Sequence, residues 1–290
     1  MAEQTPILTG LIGWPLGYSL SPRLHAAAAA GLGIELVYAP MPVRPEALPA
    51  AVADLAARGY RGVNVTVPHK EAVAPLLEEL EPAAAAIGAV NVIAFDQPKG
   101  DQPGRAVGYN TDWSGFLATA ARLKLELAGR ECWLLGAGGS ARALVYALGR
   151  AGAQTLVFAR RPEQAARLVA DLGAELPAGR LAAQPWDELV GRARSAVAVG
   201  ATPLIVNATP LGMPPQSEGS PWPAAAPFPP RAFVYDLVYA PAETALMRRA
   251  RAAGCQVANG LGMLAEQAAL SFALWTGLEP DRRVMRAAVG

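Results

Sequence analysis

The stretch Glu131-Cys132-Trp133-Leu134-Leu135-Gly136-Ala137-Gly138-Gly139-Ser140-Ala141-Arg142-Ala143 decides the fold. An apolar run, Cys132 to Leu135, ends abruptly in glycines, and a helix-forming run follows from Ala141 to Leu148. Glycine turns join many strands to helices. Here the flanking strand and helix supply the context in which Gly136-x-Gly138-x-x-Ala141 binds a dinucleotide. The first glycine turns the chain, the second lets backbone approach a pyrophosphate, and the small third residue packs helix on strand. The open N–H groups and positive dipole end of the helix then face the diphosphate.

The next strand bears on which dinucleotide. Thr155-Leu156-Val157-Phe158 is β-branched and aromatic and ends in Ala159-Arg160-Arg161. An acidic residue at that end would bond the ribose 2′-hydroxyl of NAD, whereas arginine suits the 2′-phosphate of NADP. Glu163 comes only after Pro162, so the expected cofactor is NADP. The bland alternative is that two arginines cap a surface strand.

A chain of 290 residues is long for one core and points to two domains. The net charge of +1, without basic or acidic runs, gives no footprint for nucleic acid or a charged membrane. The two cysteines, Cys132 and Cys255, each fall in an apolar stretch and read as reduced, buried strand residues of a cytoplasmic protein. The two histidines, His25 and His69, belong to no ligand motif, so no metal site is expected. No leader pattern opens the chain. The uncharged window 195–217 is broken by Gly200, Pro203, Asn207, Pro210 and Gly212, against a membrane helix.

Strands alternate with helices, which argues for α/β sheets with parallel pairing. The expected elements begin with a strand at 7–12 and a helix from Ser21-Pro22, with Ser21 as N-cap. A strand at 36–41, a helix at 45–57 and a strand at 63–67 follow. A helix over 69–80 would put Lys70 at a helix start, where the dipole disfavours a cation. Strands at 90–95 and 105–109 flank a turn-rich segment, 96–104, and Asp112 opens a helix. Beyond the nucleotide turn come strands at 203–207, 233–237 and 256–258, with a helix over 243–253. Residues 213–230, with seven prolines, read as a mobile or polyproline-like surface loop. The last long helix, 261–275, is apolar almost all round and therefore buried. Ser271 in it can bond its own backbone, while a buried Gln267 needs partners.

Polar residues collect at strand ends. Asn64 and Thr66 share one strand face, Asn91 interrupts an apolar strand, Asn207 and Thr209 follow Leu204-Ile205-Val206, and Asp236 follows Phe233-Val234-Tyr235. Ligands of open α/β sheets bind beyond the carboxyl ends of strands, so these residues imply a cleft between two sheets. Any one of them could instead shape a turn or cap a helix, and Asn110-Thr111-Asp112 is itself a plausible cap.

Several short motifs in order complete the picture: Ser19-x-Ser21-Pro22, Gly62-Val63-Asn64-Val65-Thr66-Val67-Pro68-His69-Lys70, Gly88-Ala89-Val90-Asn91, Gly108-Tyr109-Asn110-Thr111-Asp112, Asn207-Ala208-Thr209, Asp236-Leu237-Val238-Tyr239 and Gly260-Leu261-Gly262-Met263-Leu264, with Gln267 after them. With the glycine turn, they resemble the shikimate dehydrogenase family along nearly the whole chain. The resemblance implies a two-domain α/β fold. A substrate domain would comprise residues 1–111 and 263–290, and a Rossmann-type NADP domain residues 112–262. It implies reversible reduction of 3-dehydroshikimate to shikimate by a monomer or homodimer. Lys70 would act at the reacting oxygen, paired with Asp112. Ser19 and Ser21 would bind the substrate carboxylate with Tyr239 nearby, and Thr66, Asn91, Asp112 and Gln267 would hold ring hydroxyls. Gly138, Gly139 and Ser140 would line the diphosphate, with Arg160, beside Arg161, meeting the 2′-phosphate. Thr209 would join the cofactor site, and Gly260 and Met263 would flank the nicotinamide.

The chain departs from the family at Tyr18 for histidine, Ala26 for asparagine, Val92 for threonine, Ala159 and Arg161 around Arg160, and Pro210-Leu211. Chemically, hydride delivery to a ketone requires a proton at the same oxygen, which a protonated Lys70 supplies while stabilising the developing charge. Oxidation needs the neutral amine, so activity should rise toward alkaline pH. Rival readings are a quinate or quinate/shikimate dehydrogenase, a non-catalytic sensor of a shikimate-like ligand, and a dehydrogenase of another substrate such as a folate derivative. The pair Lys70 and Asp112 speaks against a sensor, and the paired serines favour a small carboxylic acid.

Overall fold

A computed structural model describes residues 5–17, 19–96, 105–177 and 179–290. Tyr18 and most of the turn-rich 96–104 segment lie outside them. The chain divides into two compact units, Met1–Ala118 with Gly262–Gly290, and Thr119–Leu261.

The discontinuous unit begins β1 (Ile7–Gly13), α1 (Ser21–Leu32), β2 (Leu36–Pro42), α2 (Leu48–Ala57), β3 (Gly62–Val65). It continues with β4 (Glu79–Leu80), α3 (Pro82–Ile87), β5 (Val92–Phe95), β6 (Ala106–Tyr109) and α4 (Asp112–Arg122). The sheet order is β2-β1-β3-β5-β6-β4. β1 runs parallel to β2 and β3, but β5 is antiparallel to both β3 and β6. The expected parallel pairing holds for β1 with β2 and β3 and for β4 with β6, and β5 is the exception. That reversal brings the start of β5 to the same sheet edge as the ends of β1, β3 and β6.

Three local expectations are corrected. No helix spans 69–80: turns and a short 3-10 segment, Ala74–Leu76, take its place. Pro75 lacks the N–H for a helical bond and would collide with the carbonyl four residues back. Lys70 accordingly stands in a turn rather than at a helix start. Ser21 is the first helical residue rather than the cap, since Leu20 holds the cap position and Ser19 Oγ accepts the Ser21 N–H at 3.2 Å. Asn91 lies just before β5, not inside it.

The second unit runs β7 (Glu131–Leu135), α5 (Gly139–Arg150), β8 (Gln154–Phe158), α6 (Pro162–Gly173), β9 (Leu181–Gln184), α7 (Glu188–Val199). β10 (Leu204–Asn207), β11 (Phe233–Asp236), α8 (Ala245–Ala252) and β12 (Gln256–Asn259) complete it. Its sheet is wholly parallel, in the order β12-β11-β10-β7-β8-β9. Numbered within the unit this is the doubly wound 3-2-1-4-5-6 arrangement, whose order reverses between β7 and β10. No helix among the described residues is long and apolar enough to cross a membrane.

The expected surface loop over 213–230 holds for its first half, where residues 213–216 and 218 are exposed, but the second half is packed. Trp222 stacks on Trp133 at 6.0 Å and on Phe228 at 4.8 Å, and its indole N–H donates to the Ala226 carbonyl. Two large rings give the segment a core that its lack of periodicity concealed. Cys132 and Cys255 are buried and unpaired, and burial pushes their thiols up to about 12 and about 11. Cys132 is in β7 as expected, whereas Cys255 immediately precedes β12.

The chain then re-enters the first unit through α9 (Leu261–Thr276) and α10 (Arg282–Ala287). Ala265, Ala268, Ala269 and Phe272 of α9 pack on Leu24, Ala28 and Ala29 of α1, with Met285 of α10. Alanines on both faces let the two helices approach closely. Trp275 donates to the Ile93 carbonyl, and Gly62 is glycine because a Cβ there would collide with that indole.

His25 of α1 lies in this layer, stacked on Tyr38 at 4.3 Å and near Phe272 and Trp275. Neither ring nitrogen has a partner in hydrogen-bond geometry, although Asn64 is close enough to oppose the shift weakly. Burial pushes this imidazole down to about 3. The unfolded chain therefore takes up a proton that the native state refuses, so stability is full above the unfolded value near 6.5 and falls as pH drops toward 3. The loss amounts to roughly 4–5 kcal/mol over the whole window. Replacing His25→Phe, which keeps a ring in the stack, should flatten this dependence. Denaturant melts at pH 7 and pH 5 should show a clearly smaller difference for the variant than for the parent chain; equal differences would contradict this account of His25.

Candidate active site

The first unit gathers its polar residues at one sheet edge. After β3, the Thr66 N–H bonds the Ile12 carbonyl and the His69 N–H bonds that of Thr66, so Val67-Pro68 turn the chain sharply. His69 is buried, with Nε2 against the Val43 carbonyl at 2.7 Å. The Lys70 carbonyl accepts the Val90 N–H at 2.7 Å, tying this turn to the segment before β5. Lys70 Nζ meets Asp112 Oδ2 at 2.5 Å, their side chains only 12 % and 6 % exposed. A buried ion pair carries a large desolvation cost unless its remaining lone pairs are hydrogen-bonded. Asn91 meets that requirement: its Nδ2 donates to Asp112 Oδ1 at 3.0 Å.

The same amide reaches Thr111 Oγ1 at 3.0 Å and Gln267 Oε1 at 3.3 Å. Its oxygen accepts the Thr111 N–H at 2.7 Å, which fixes which way the amide points. Gln267 also donates to the Leu264 carbonyl at 2.9 Å, and its own carbonyl accepts from Thr111 Oγ1 at 3.2 Å. The helix-cap alternative for Asp112 does not describe its carboxylate. Asn110 Oδ1 accepts the Asp112 N–H at 3.1 Å, leaving both carboxylate oxygens for Lys70 and Asn91. Gly115 has no room for a side chain, since a Cβ would lie 3.0 Å from Gln267 Cβ. Its bareness lets α4 approach α9 at Gln267.

Lys70, Asn91, Asp112 and Gln267 thus form one bonded cluster. Ser19, Ser21 and Thr66 stand after β1 and β3 at the same edge, without a hydrogen bond to that cluster among the described residues. Met263 is buried in the first turn of α9. Of the other members of the network, sequence reasoning passed over Tyr38, read Thr111 only as part of a helix cap, and singled out Asn64 and Ser271 without naming their partners. Tyr38 donates to Asn64 Oδ1 at 2.8 Å, Asn64 Nδ2 donates to Ser271 Oγ at 2.9 Å, and Thr111 bridges Asn91 to Gln267. Ser271 bonds the Gln267 carbonyl as expected and serves Asn64 besides. Asn64, polar amid valines, was a signal; Tyr38 on an edge strand carried none.

In the second unit the glycine turn follows β7. Gly136 has φ +114° and bonds the Phe158 carbonyl at 2.8 Å, and a Cβ there would stand 3.1 Å from the Ala208 backbone. A Cβ on Gly138 would meet nothing within 4 Å, so that backbone faces open space. Gly139 and Ser140 begin α5, and Ala141 is fully buried against the sheet. Arg160 and Arg161 are exposed after β8; Arg161 occupies the cap position of α6 without a side-chain cap bond.

Beyond β10 and β11, Asp236 accepts from Asn207 Nδ2 at 2.8 Å, Thr244 Oγ1 at 2.6 Å and the Val238 N–H at 3.1 Å. Burial pushes its carboxyl up, against those three bonds. Asn207 Oδ1 accepts both the Thr209 N–H and Oγ1, so Thr209 is locked to the end of β10. Tyr239 and Gly260 belong to this unit, and a Cβ on Gly260 would strike the Leu237 carbonyl. Among the described residues no group of three or more His, Cys, Asp or Glu is placed to hold a metal ion.

A family model described as shikimate dehydrogenase substrate binding domain matches residues 11–93, and one described as shikimate 5′-dehydrogenase C-terminal domain matches residues 260–289. The chain is 46 % identical to the shikimate dehydrogenase (NADP(+)) of Moorella thermoacetica, over 98 % of this chain and 94 % of that protein. It resembles the crystal structure of shikimate 5-dehydrogenase from Thermus thermophilus in complex with NADP(H) and shikimate. There the TM-score is 0.81 and the identity 39 %, covering 97 % of this chain and 98 % of the other. The quinate dehydrogenase of Corynebacterium glutamicum in complex with NAD is similar at a TM-score of 0.81 and 32 % identity, covering 98 % of each chain.

The glycines of the turn separate in their expected cost. Gly136→Ala forces a side chain into a left-handed conformation beside the Ala208 backbone and should destabilise the protein by ~1–3 kcal/mol. Gly138→Ala should unfold with the parent chain. Urea titrations of both variants check this, and equal midpoints would remove the distinction.

Proposed function

The chain belongs to the shikimate dehydrogenase family, and we propose that it catalyses the reversible, NADP-linked reduction of 3-dehydroshikimate to shikimate on the route to chorismate and the aromatic amino acids. The observation that carries this reading is the Lys70–Asp112 pair at 2.5 Å, held by Asn91 and joined through it to Gln267. A ketone that gains a hydride needs a proton at its oxygen, and the Lys70 ammonium is the donor held ready for it. Asp112 Oδ2 keeps that ammonium in place, while Asn91 keeps Asp112 from turning away. In the reverse direction the neutral amine takes the proton from the ring hydroxyl. Thr66, Asn91, Asp112 and Gln267 hold the ring hydroxyls, and Ser19 and Ser21 take the carboxylate.

The substrate is assigned to the discontinuous unit and the dinucleotide to the parallel-sheet unit. NADPH, when bound, supplies the hydride. The residues that would hold it fit: the bare Gly138 backbone faces open space, and the α5 N-terminus with Gly136, Gly139, Ser140 and Ala141 suits a diphosphate. Arg160 and Arg161 suit a 2′-phosphate, and Thr209 and Gly260 suit the nicotinamide end. In this scheme the enzyme works in the cytoplasm, as a monomer or homodimer, on a small molecule. No nucleic acid, membrane or metal takes part.

Initial rates on shikimate and quinate, each with NADP and NAD, test the assignment. The highest kcat/KM should belong to shikimate with NADP; preference for quinate with NAD, or no turnover at all, would overturn it. In the same assay Lys70→Ala should lose about 10²–10⁴-fold in kcat while fluorescence titration shows NADPH still bound. Turnover at the parent rate would remove Lys70 from the mechanism.

Arg160→Ala should raise KM for NADPH by about tenfold and leave that for NADH nearly unchanged, the size of one exposed charge-assisted contact. An equal change for both cofactors would show that Arg160 does not read the 2′-phosphate.

A further inference from the structure

We infer that Tyr38 is a positioning residue for the reaction: its hydroxyl, on the edge strand β2, sets the orientation of the buried amide that holds Asn91 and α9 in register. The inference rests on the activity proposed above. The starting observation is a continuous line of hydrogen bonds. Tyr38 Oη donates to Asn64 Oδ1 at 2.8 Å, and Asn64 Nδ2 donates to Ser271 Oγ at 2.9 Å and to the Asn91 carbonyl at 3.3 Å. Ser271 Oγ passes the line to the Gln267 carbonyl at 2.9 Å. The Asn91 side chain in turn donates to Asp112, which accepts from Lys70 as well.

Asn64 is the branching point, only 5 % exposed. One branch reaches Asn91 on the sheet and the other reaches Ser271, one helical turn after Gln267 on α9. Both branches start from the same nitrogen, so the amide must present Nδ2 to them and Oδ1 away. The Asn91 carbonyl can only accept, and a flipped amide would set two acceptors against each other. In the correct orientation Oδ1 needs a donor, and the Tyr38 hydroxyl is that donor. A phenylalanine would fill the same ring position but would leave that buried acceptor only the neighbouring His25 ring, which is outside hydrogen-bond geometry, in one orientation, and would oppose two oxygens in the other.

The ring itself is packed so that the hydroxyl cannot drift. It stacks face to face on His25, with ring centroids 4.3 Å apart and an interplanar angle of 10°, and lies 6.3 Å from Trp275. α1 and α9 therefore fix the phenol, the phenol fixes Asn64, and Asn64 fixes the separation between Asn91 and Gln267. Asn91 Nδ2 spans that separation when it touches Asp112 Oδ1 at 3.0 Å and Gln267 Oε1 at 3.3 Å together. If Asn64 loosens, Asn91 and Gln267, two of the residues that hold the ring hydroxyls, lose their common spacing, while the glycine turn of the other unit is untouched.

Tyr38→Phe is the test, because it deletes one oxygen and keeps the stack. The expected result is a loss of about tenfold in kcat/KM for shikimate, most of it in KM, with KM for NADP within twofold of the parent chain. A merely structural tyrosine would lower the folded fraction and with it kcat, leaving both KM values unchanged. The second arm places Tyr38→Phe in an Asn64→Ala background. With no amide to orient, the added change should cost nothing further. A kcat/KM for shikimate within twofold of the parent, a loss confined to kcat, or the same loss in both backgrounds would each overturn the inference. Should Asn64→Ala fail to fold, the split between shikimate and NADP in the single variant decides. Absence of turnover in the parent chain would instead sink the proposed activity, a result readily told apart from an active parent with an unaffected Tyr38 variant.

Discussion

Asp112 divides its two oxygens, Oδ2 to the Lys70 ammonium and Oδ1 to the Asn91 amide, and the chemistry of the first unit depends on that division. With one oxygen unpaired, the carboxylate could turn and a lysine only 12 % exposed would be left as an uncompensated charge. Removing either partner of a buried pair typically costs about 3–5 kcal/mol, more than a surface pair ever contributes. The pair is therefore weak support for the fold and strong support for a function. Replacing it with apolar side chains of similar volume would cost little in stability, so its presence calls for a chemical reason.

The mixed sheet supplies the geometry for this. In a purely parallel sheet only strand ends reach the active edge, and each is followed by a crossover. The β5–β6 hairpin lets the chain arrive at that edge at Asn91, leave, and return about twenty residues later at Asp112. The Asn91 N–H bonds the Tyr109 carbonyl at 3.0 Å, so the two residues share one register. Their side-chain contact is then a consequence of backbone pairing, with no further loop-closure entropy to overcome.

In the parallel half most strands were legible, although α6, β9 and α7 went unread. Cys132 to Leu135, the glycines and Ala141 named strand, turn and helix, and β8, β10, β11 and β12 were found within a residue or two of their ends. Tight βα turns write themselves in glycine and asparagine. The site residues Lys70, Asn91, Asp112 and Gln267 were also legible, but through family resemblance rather than periodicity. What was hidden had physical causes. Pro75 sits in an otherwise helix-friendly run, and one imino acid outweighed its favourable neighbours. Trp222 and Phe228 pack a segment whose spacing follows no period, so only three-dimensional contact reveals it. β5 reads as an apolar run whichever way it points, and its direction is set by β3 and β6.

The asparagines unify both halves. The chain has five, Asn64, Asn91, Asn110, Asn207 and Asn259, and each lies in a strand or within a residue of its end. Every one accepts with its oxygen and donates with its nitrogen. Asn91 takes the Thr111 N–H and gives to Asp112; Asn207 takes the Thr209 N–H and gives to Asp236. Asn110 takes the Asp112 N–H and gives to the Ala89 carbonyl; Asn259 takes the Leu261 N–H and gives to the Ala242 carbonyl. A carboxylate could only accept, and beside Asp112 or Asp236 it would add a like charge in a desolvated place. A hydroxyl could do both but across one atom, too short to join two loops. Where a chain leaves a sheet it exposes an N–H to one side and meets an acceptor on the other, and the amide is the one short, neutral side chain that satisfies both at once. That requirement, applied at Asn91, is what gives Asp112 a fixed orientation before any substrate arrives.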